Sequence, residues 1–363
     1  MERRLRMAVV GVGFGAQVHV PAFLSIPGVE IVGLADSGSG RAGQVAAGLG
    51  RKVVAWGSWQ KAVEAPDVDA VSVATPPWVQ ADVVCAALAA GKHVLCEKPF
   101  GANGEDAARM WESARKTDRV HAVDFEFRME PGIAALQRLV KSGEIGELHR
   151  IDVAWLTGGR ADSSLPWSWQ HDAERGGGIL NAYGSHVVDY VQWISGTHIL
   201  RTFAQSRVLV RERPNAQGRA KRVTAEDSCD LLCVLANGAV ANLKFSNCYP
   251  VTSFHRIEIY GGKGRLVYLH KFPFKPEQVQ VCTETDRSEL RPVSVASLAG
   301  EAGVDTRFLP FRELARRFID AASRIAVRDL PDFSCGLRAQ RVLDAARDSL
   351  RSGGEVLVSA VGP

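Results

Sequence analysis

The sequence contains no run of 18 apolar residues, so no transmembrane helix is expected. Near the amino terminus the stretch Ala8-Val-Val-Gly-Val12 follows a basic start but is too short for a secretory leader, and a cytoplasmic location is the expectation. Cysteine is sparse and odd in number, at seven; Cys229 and Cys233 are separated by three residues, and no His or Cys pair completes a zinc-like spacing. Neither a disulfide framework nor a metal site is therefore expected, only free thiols in a reducing compartment. No charge of one sign dominates: 44 basic and 40 acidic side chains leave +4, and the longest basic cluster is Met1–Arg6. That balance gives no reason to expect a nucleic-acid or membrane partner. There is no internal repeat or low-complexity tract, and 46% hydrophobic with 23% charged residues excludes a collagenous, coiled-coil or disordered chain.

What is present is enough chain for two domains, 363 residues at about 150 per domain. Up to about residue 125, β-branched runs alternate with helical patterns. Strands are expected at Arg6–Val10, Glu30–Ala35, Lys52–Ala55, Val68–Ala74, His93–Cys96 and Val120–Val123, with helices such as Gln80–Ala90 and Gly104–Lys116 between them. Such alternation builds a doubly wound parallel sheet with right-handed crossovers. From about Gly146 strand follows strand: Leu148–Thr157, Leu200–Val210, Ser228–Leu235, Ala239–Ser246, His255–Tyr260 and Arg265–Leu269, with Asn237-Gly238 as a hairpin turn. The expected architecture is a Rossmann domain over 1–126 and an α+β domain with an open, mostly antiparallel sheet over 127–363. Arg211–Arg222 reads as an exposed loop, and the helices Pro310–Ile325 and Leu337–Ser352 are expected to pack back on the body.

The strand ending Ala8-Val-Val runs directly into Gly11-Val-Gly13-Phe14-Gly15-Ala16, a G-x-G-x-x-A turn opening a helix. Gly11 permits the turn, Gly13 lets backbone approach a pyrophosphate, and small Ala16 is expected to let helix and strand pack closely. The anion would sit on backbone N–H groups at the helix start. Asp36 ends the next strand, 20 residues beyond Ala16. A carboxylate there accepts hydrogen bonds from ribose hydroxyls and repels a 2′-phosphate, which favours NAD(H). Neighbouring Ser37 belongs to the same turn, while Arg41 can screen a phosphate and leaves NADP(H) open.

Further along come Val73-Ala-Thr75-Pro76-Pro77, then Gly91-Lys-His-Val-Leu-Cys-Glu97-Lys98-Pro99, and then Gly176-Gly-Gly-Ile-Leu-Asn-Ala-Tyr183-Gly-Ser-His186-Val-Val-Asp189. With the amino-terminal turn and Ile257-Glu-Ile-Tyr-Gly-Gly-Lys-Gly264, these motifs resemble the Gfo/Idh/MocA oxidoreductases over nearly the whole chain. The resemblance implies a dinucleotide fold, an antiparallel sheet domain that often mediates homodimer or homotetramer formation, and reversible hydride transfer between nicotinamide and a carbinol or carbonyl carbon of a sugar, cyclitol or related small molecule. It maps the catalytic lysine onto Lys98 and the acid/base histidine onto His186, with Thr75, Pro76, Glu97 and Lys98 beside the cofactor. Hydride transfer to a carbonyl needs a proton for the developing alkoxide, which both side chains can supply. Without the resemblance, a lysine before proline is ordinarily a solvated loop residue and a helix histidine a core or surface one.

Two positions depart from the family pattern. Many of these dehydrogenases carry Asp four residues before the histidine, on the same helix face; here that position is Ala182, and Asn181 is turned about 100° off the face. Asp189 is expected to be a helix-surface acid. Gln80 stands where the family often has His. The missing acid leaves other readings open: a non-catalytic NAD(P)-sensing protein, a biliverdin-reductase-like enzyme, or an NAD-assisted glycosidase or lyase. Substrate contacts are expected from Arg128, Trp167, Trp169, Asp172, Tyr183 and His186, with Trp155, Arg160, His171 and Arg175 nearby. Aromatic faces with Arg and Asp suit a polyhydroxylated ring.

Overall fold

A computed structural model describes residues 4–250, 253–271, 280–285, 289–295 and 307–360. The chain divides into two compact units, Met1–Met129 with Gly300–Leu337, and Glu130–Ala299 with Arg338–Pro363.

In the first unit six strands, β1 (Leu5–Val10), β2 (Val29–Ala35), β3 (Val54–Trp56), β4 (Ala70–Val73), β5 (His93–Cys96) and β6 (His121–Val123), form one parallel sheet in the order β3-β2-β1-β4-β5-β6. The central strands β1, β4 and β5 are short apolar runs with nearly every residue buried, as a helix-covered parallel sheet requires. The crossovers carry α1 (Val20–Leu24), α2 (Arg41–Gly48), α3 (Trp59–Glu64), α4 (Pro77–Ala89) and α5 (Gly104–Ala114). The order reverses at β1 and β4, and the carboxyl ends of those two strands are where a doubly wound sheet receives its ligand. The late helix Phe308–Ala322 places Phe311, Leu314, Ala315, Phe318 and Ile319 in the same apolar core as Val18, Val20 and Phe23.

The second unit is a nine-stranded sheet. Its strands are β7 (Leu148–Leu156), β8 (Ile199–Arg207), β11 (Ser228–Leu235), β12 (Val240–Ser246), β13 (Phe254–Gly261), β14 (Gly264–Lys271), β15 (Gln280–Thr285), β16 (Arg291–Pro292) and β17 (Val356–Leu357), with β9 (Glu212–Pro214) and β10 (Ala220–Arg222) paired separately. The order β16-β15-β14-β13-β7-β12-β11-β8-β17 is antiparallel except that β12 pairs β7 in parallel. Period-2 burial makes one face apolar: Ile151, Val153 and Trp155 of β7 and Cys229, Leu231, Cys233 and Leu235 of β11 are buried. The cysteines thus serve as small core residues, and burial pushes the Cys233 thiol up to about 12. Helices α6 (Pro131–Lys141) and α7 (Ser185–Ser195) belong to this unit; the late helix of the first unit is α8, and α9 (Phe333–Ser352) follows it.

Several expectations need correction. Arg211–Arg222 is not a loop but the β9–β10 hairpin. Its turn is made by the Asn215 side chain, which accepts the Gln217 and Arg219 N–H groups at 2.9 and 3.0 Å. Arg213 is buried because its guanidinium donates to the carbonyl oxygens of Arg160 and Asp162. Helix α9 starts at Phe333 rather than Leu337, since Asp332 caps it by accepting the Cys335 N–H at 3.1 Å. Helix α8 spans Phe308–Ala322, not Pro310–Ile325, and β8 ends at Arg207 rather than Val210.

Candidate active site

In the first unit the glycine turn behaves as three distinct devices. Gly11 has φ +99°, and a Cβ there would lie 2.3 Å from the Ala74 carbonyl oxygen, so only glycine fits between β1 and β4. Gly13 would meet nothing within 4 Å, leaving open space beside its backbone. A Cβ on Gly15 would lie 3.0 Å from Val9 Cγ1 and 3.1 Å from Ala74 Cβ. The close helix–strand contact expected of Ala16 therefore falls to Gly15, while Ala16 is only half-buried. The helix opens with a π-helical turn, Gly15–His19, which aims His19 inward.

Asp36 is held by its own turn: its carboxylate accepts the Gly38 N–H at 2.8 Å, the Ser39 hydroxyl at 2.9 Å and the Ala42 N–H at 2.9 Å. Led by the Ala42 bond, these hold it below the ordinary carboxylate range, so it is ionised at neutral pH. Ser37 follows it in the turn, and Arg41 reaches the Val12 carbonyl oxygen at 3.4 Å, beside the glycine turn.

At the end of β4, Thr75 has a buried Oγ1 with no hydrogen-bond partner among the described residues. Gln80 is fully buried and explains its departure from the family pattern as a staple. Its amide donates to the Glu97 carbonyl at 3.0 Å and accepts the Gly101 N–H at 2.8 Å, fixing the segment that carries half-buried Lys98. Glu97 accepts the Lys98 N–H at 3.2 Å through one carboxylate oxygen, and its other lies 2.9 Å from His19 Nε2. Asp124, just past β6, lies 3.8 Å from the same nitrogen. These three side chains have metal-ligand spacing, but both His19 nitrogens are engaged, by Ser72 Oγ at 2.7 Å and by Glu97 at 2.9 Å. Arg128 is buried in the 3₁₀ turn Glu126–Met129 of the first unit.

In the second unit a π-helical turn, Leu180–Gly184, leads into α7, whose second residue is His186, buried to 3% exposure. The turn begins where Glu226 accepts the Leu180 N–H at 2.9 Å. Its extra residue per turn removes the premise of a simple i, i+4 face around position 182. Asn181 is committed elsewhere, donating to the Gly176 carbonyl at 2.8 Å and accepting from Arg347. Asp189 is buried, not the expected surface acid. Tyr183 stacks on Trp155 with ring centroids 4.0 Å apart, His186 lies 6.4 Å from the same indole, and the Tyr183 hydroxyl is 3.1 Å from Thr157 Oγ1.

The remaining predicted contacts form another group. Trp167 donates its indole N–H to the Arg222 carbonyl at 3.1 Å and carries the Lys221 ammonium 3.2 Å above its ring, so it anchors the hairpin. Asp172 accepts the Glu174 N–H at 3.2 Å and lies 3.8 Å from Arg175, a local turn, and Trp169 starts the 3₁₀ turn that ends at His171. Burial and the nearby Arg160 and Arg213 push His171 down to about 4, so it is neutral and accepts the Ser168 N–H at 2.9 Å.

Residues 5–125 match the model of the oxidoreductase family with an NAD-binding Rossmann fold, and residues 133–267 match the GFO/IDH/MocA C-terminal domain. The chain belongs to the GFO/IDH/MocA family. It is 33% identical over 278 residues, 74% of each chain, to an uncharacterized oxidoreductase of Synechocystis sp.. It is 26% identical over 312 residues to levoglucosan dehydrogenase of Pseudarthrobacter phenanthrenivorans, covering 80% of this chain and 79% of that one. The structure of an oxidoreductase domain protein from Kribbella flavida superposes with TM-score 0.88 at 26% identity, covering 99% and 100% of the two chains.

This GFO/IDH/MocA protein is an NAD-dependent oxidoreductase. Its first unit fits the dinucleotide: the open space at Gly13 would admit a pyrophosphate, Asp36 has acceptor capacity for ribose hydroxyls, and the orphaned Thr75 hydroxyl needs a partner that bound cofactor would supply. The sequence motifs did not point to His19, Asp124 or Glu126, and they marked Gln80 only as a departure from the family pattern. Asp124 directly follows β6 and Glu126 opens the 3₁₀ turn after it, so no strand periodicity marks them.

Proposed function

We propose that this oxidoreductase transfers hydride reversibly between NAD(H) and a carbinol or carbonyl carbon of a sugar, cyclitol or related small polyhydroxy compound. The first unit is the cofactor-binding domain, and the second recognises substrate and forms the oligomer. The observation that carries the reading is half-buried Tyr183, whose ring lies on buried Trp155 and whose hydroxyl is 3.1 Å from Thr157 Oγ1, three residues before His186; an aromatic ring edged by hydroxyl groups suits the C–H face and hydroxyl rim of such a ring. Relatives named levoglucosan dehydrogenase and myo-inositol 2-dehydrogenase support the substrate class.

Bound nicotinamide would supply the hydride acceptor or donor. Lys98, presented by the stapled turn after β5, takes the hydroxyl proton in oxidation and returns it in reduction. His186 is the second acid/base group, and its fixed place on α7 orients it. Asp36 and Arg41 set cofactor preference. A screen of sugars and cyclitols for substrate-dependent appearance or loss of NADH absorbance tests the reading: turnover with at least one is expected, and tight NADH binding without turnover on any of them would replace it by a sensing role.

Exposed Leu200, Leu232 and Leu357 lie on the adjacent strands β8, β11 and β17, an apolar patch that supports a homodimer or homotetramer built on this sheet. Light scattering on the purified protein checks this. Free thiols at Cys85, Cys96, Cys229, Cys233, Cys248 and Cys335 support a cytoplasmic location, which cell fractionation checks.

A further inference from the structure

In the second unit Arg160 and His171 meet donor to donor. Arg160 Nη1 lies 3.3 Å from His171 Nε2. The other ring nitrogen, Nδ1, accepts the Ser168 N–H at 2.9 Å. A neutral imidazole has one lone pair and one proton, and here the lone pair is spent on Ser168. The proton is therefore on Nε2 and faces a guanidinium N–H. Two donors set against each other at this distance lack an acceptor that both could reach.

The charge around this pair is also uncompensated. Arg213, 2% exposed, donates to the carbonyl oxygens of Asp162 and Arg160, and its Nε has no partner among the described residues. Half-buried Arg160 has the Gln170 side-chain oxygen as its other partner, on Nη2. Among the described residues no carboxylate pairs with either guanidinium. Three nearby acids are turned to backbone instead. Asp162 accepts the Ser164 N–H at 2.8 Å and Asp172 the Glu174 N–H at 3.2 Å. Asp227, whose charge reaches His171, accepts the Leu209 and Val210 N–H groups at 2.8 and 2.9 Å. Like charges withdrawn from water without a counter-ion are costly, and a bound anion removes that cost.

We propose that Arg160 and His171 form a carboxylate subsite of the substrate pocket, so that the substrate is a polyhydroxy acid rather than a neutral sugar. This deepens the reading of the second unit as the substrate-recognising one and rests on it. Thr157, whose Oγ1 lies 3.1 Å from the Tyr183 hydroxyl, is three residues before Arg160, and the Tyr183 oxygen is near enough to act on the Arg160 charge. The donor pair thus adjoins the aromatic ring and its hydroxyl edge. With Arg213 tied to backbone carbonyls, the pair offers one donating cation and two N–H groups 3.3 Å apart, which matches the single charge and two oxygens of a carboxylate. A phosphate dianion would call for a second donating cation.

The test is calorimetric titration of the full-length protein, loaded with NADH, with D-glucuronate and D-galacturonate and with their neutral parents D-glucose and D-galactose. At least one hexuronate should bind about tenfold or more tighter than its parent, as a charge-assisted hydrogen bond provides, and added KCl should weaken the acid alone. In Arg160→Gln the acid-to-parent ratio should fall to about one, and Arg160→Lys should recover part of it. Equal binding of acid and parent, no binding of either hexuronate, or an unchanged ratio in folded Arg160→Gln overturns the proposal. Tighter binding of D-glucose 6-phosphate than of D-glucuronate also overturns it. A hexuronate bound through Arg160 but never turned over with NAD(H) leaves the subsite standing and removes the hydride-transfer reading. Turnover of neutral sugars without hexuronate binding removes the subsite alone.

Discussion

Glu130 caps α6 by accepting the Ile133 N–H at 2.8 Å, yet burial pushes its carboxyl up to about 7. Its folded value lies above the unfolded one near 4.5, so its contribution to stability is complete below about pH 4.5 and is lost as pH rises through about 7. Two and a half pH units at about 1.4 kcal/mol each bound the loss at about 3.5 kcal/mol. Melting curves of Glu130→Gln and wild type should therefore converge at low pH and separate in favour of the variant as pH rises to about 7; a difference independent of pH contradicts the assignment. His255 works the other way. Burial pushes it down to about 3, so its contribution is complete above about pH 6.5 and lost as pH falls through about 3. Cofactor choice is also decided by single residues. Removing the ionised carboxylate in Asp36→Ser relieves a repulsion worth about 1 kcal/mol near a surface, so NADPH affinity should rise relative to NADH by about fivefold in a fluorescence titration. An unchanged ratio would move the preference away from Asp36.

Among the elements, the turn between β1 and its helix separates folding from binding. Gly13→Ala places a methyl in open space, so the melting temperature should hold while NADH affinity falls. Gly15→Val forces branched carbons against Val9 and Ala74, and overpacking of this kind costs about 1–3 kcal/mol, so here the melting temperature should drop. Equal effects of the two variants on melting would contradict the separate roles. Most strands and helices of the first unit were legible because the strands are short apolar runs and the helices show helical periods, with glycine or proline at many of the boundaries. The β9–β10 hairpin was not, because its strands are three residues each and charged, and what holds them is the Arg213 guanidinium on backbone carbonyls far back in the chain. Helix α9 likewise began early through a cap at Asp332 that periodicity cannot see. At the site, Lys98, His186 and the glycines were readable as motifs. The buried partners His19, Asp124 and Glu126 were not, since His19 comes from the helical turn after β1 and the two acids from the segment after β6, and only the folded sheet brings His19 to Glu97 and Asp124.

Taken as a whole molecule, the chain joins a parallel sheet with a ligand-ready switch point to a mostly antiparallel sheet on which Tyr183 stacks over buried Trp155. We propose hydride transfer for this oxidoreductase, with Lys98 as its proton-transfer group. The most direct measurement is the turnover number of Lys98→Ala with the best polyol or ketose substrate, alongside its NADH dissociation constant. General acid–base catalysis contributes about 10²–10⁴-fold, so turnover should fall by at least about a hundredfold while NADH affinity stays within about twofold. Turnover within a few-fold of wild type would contradict the central claim.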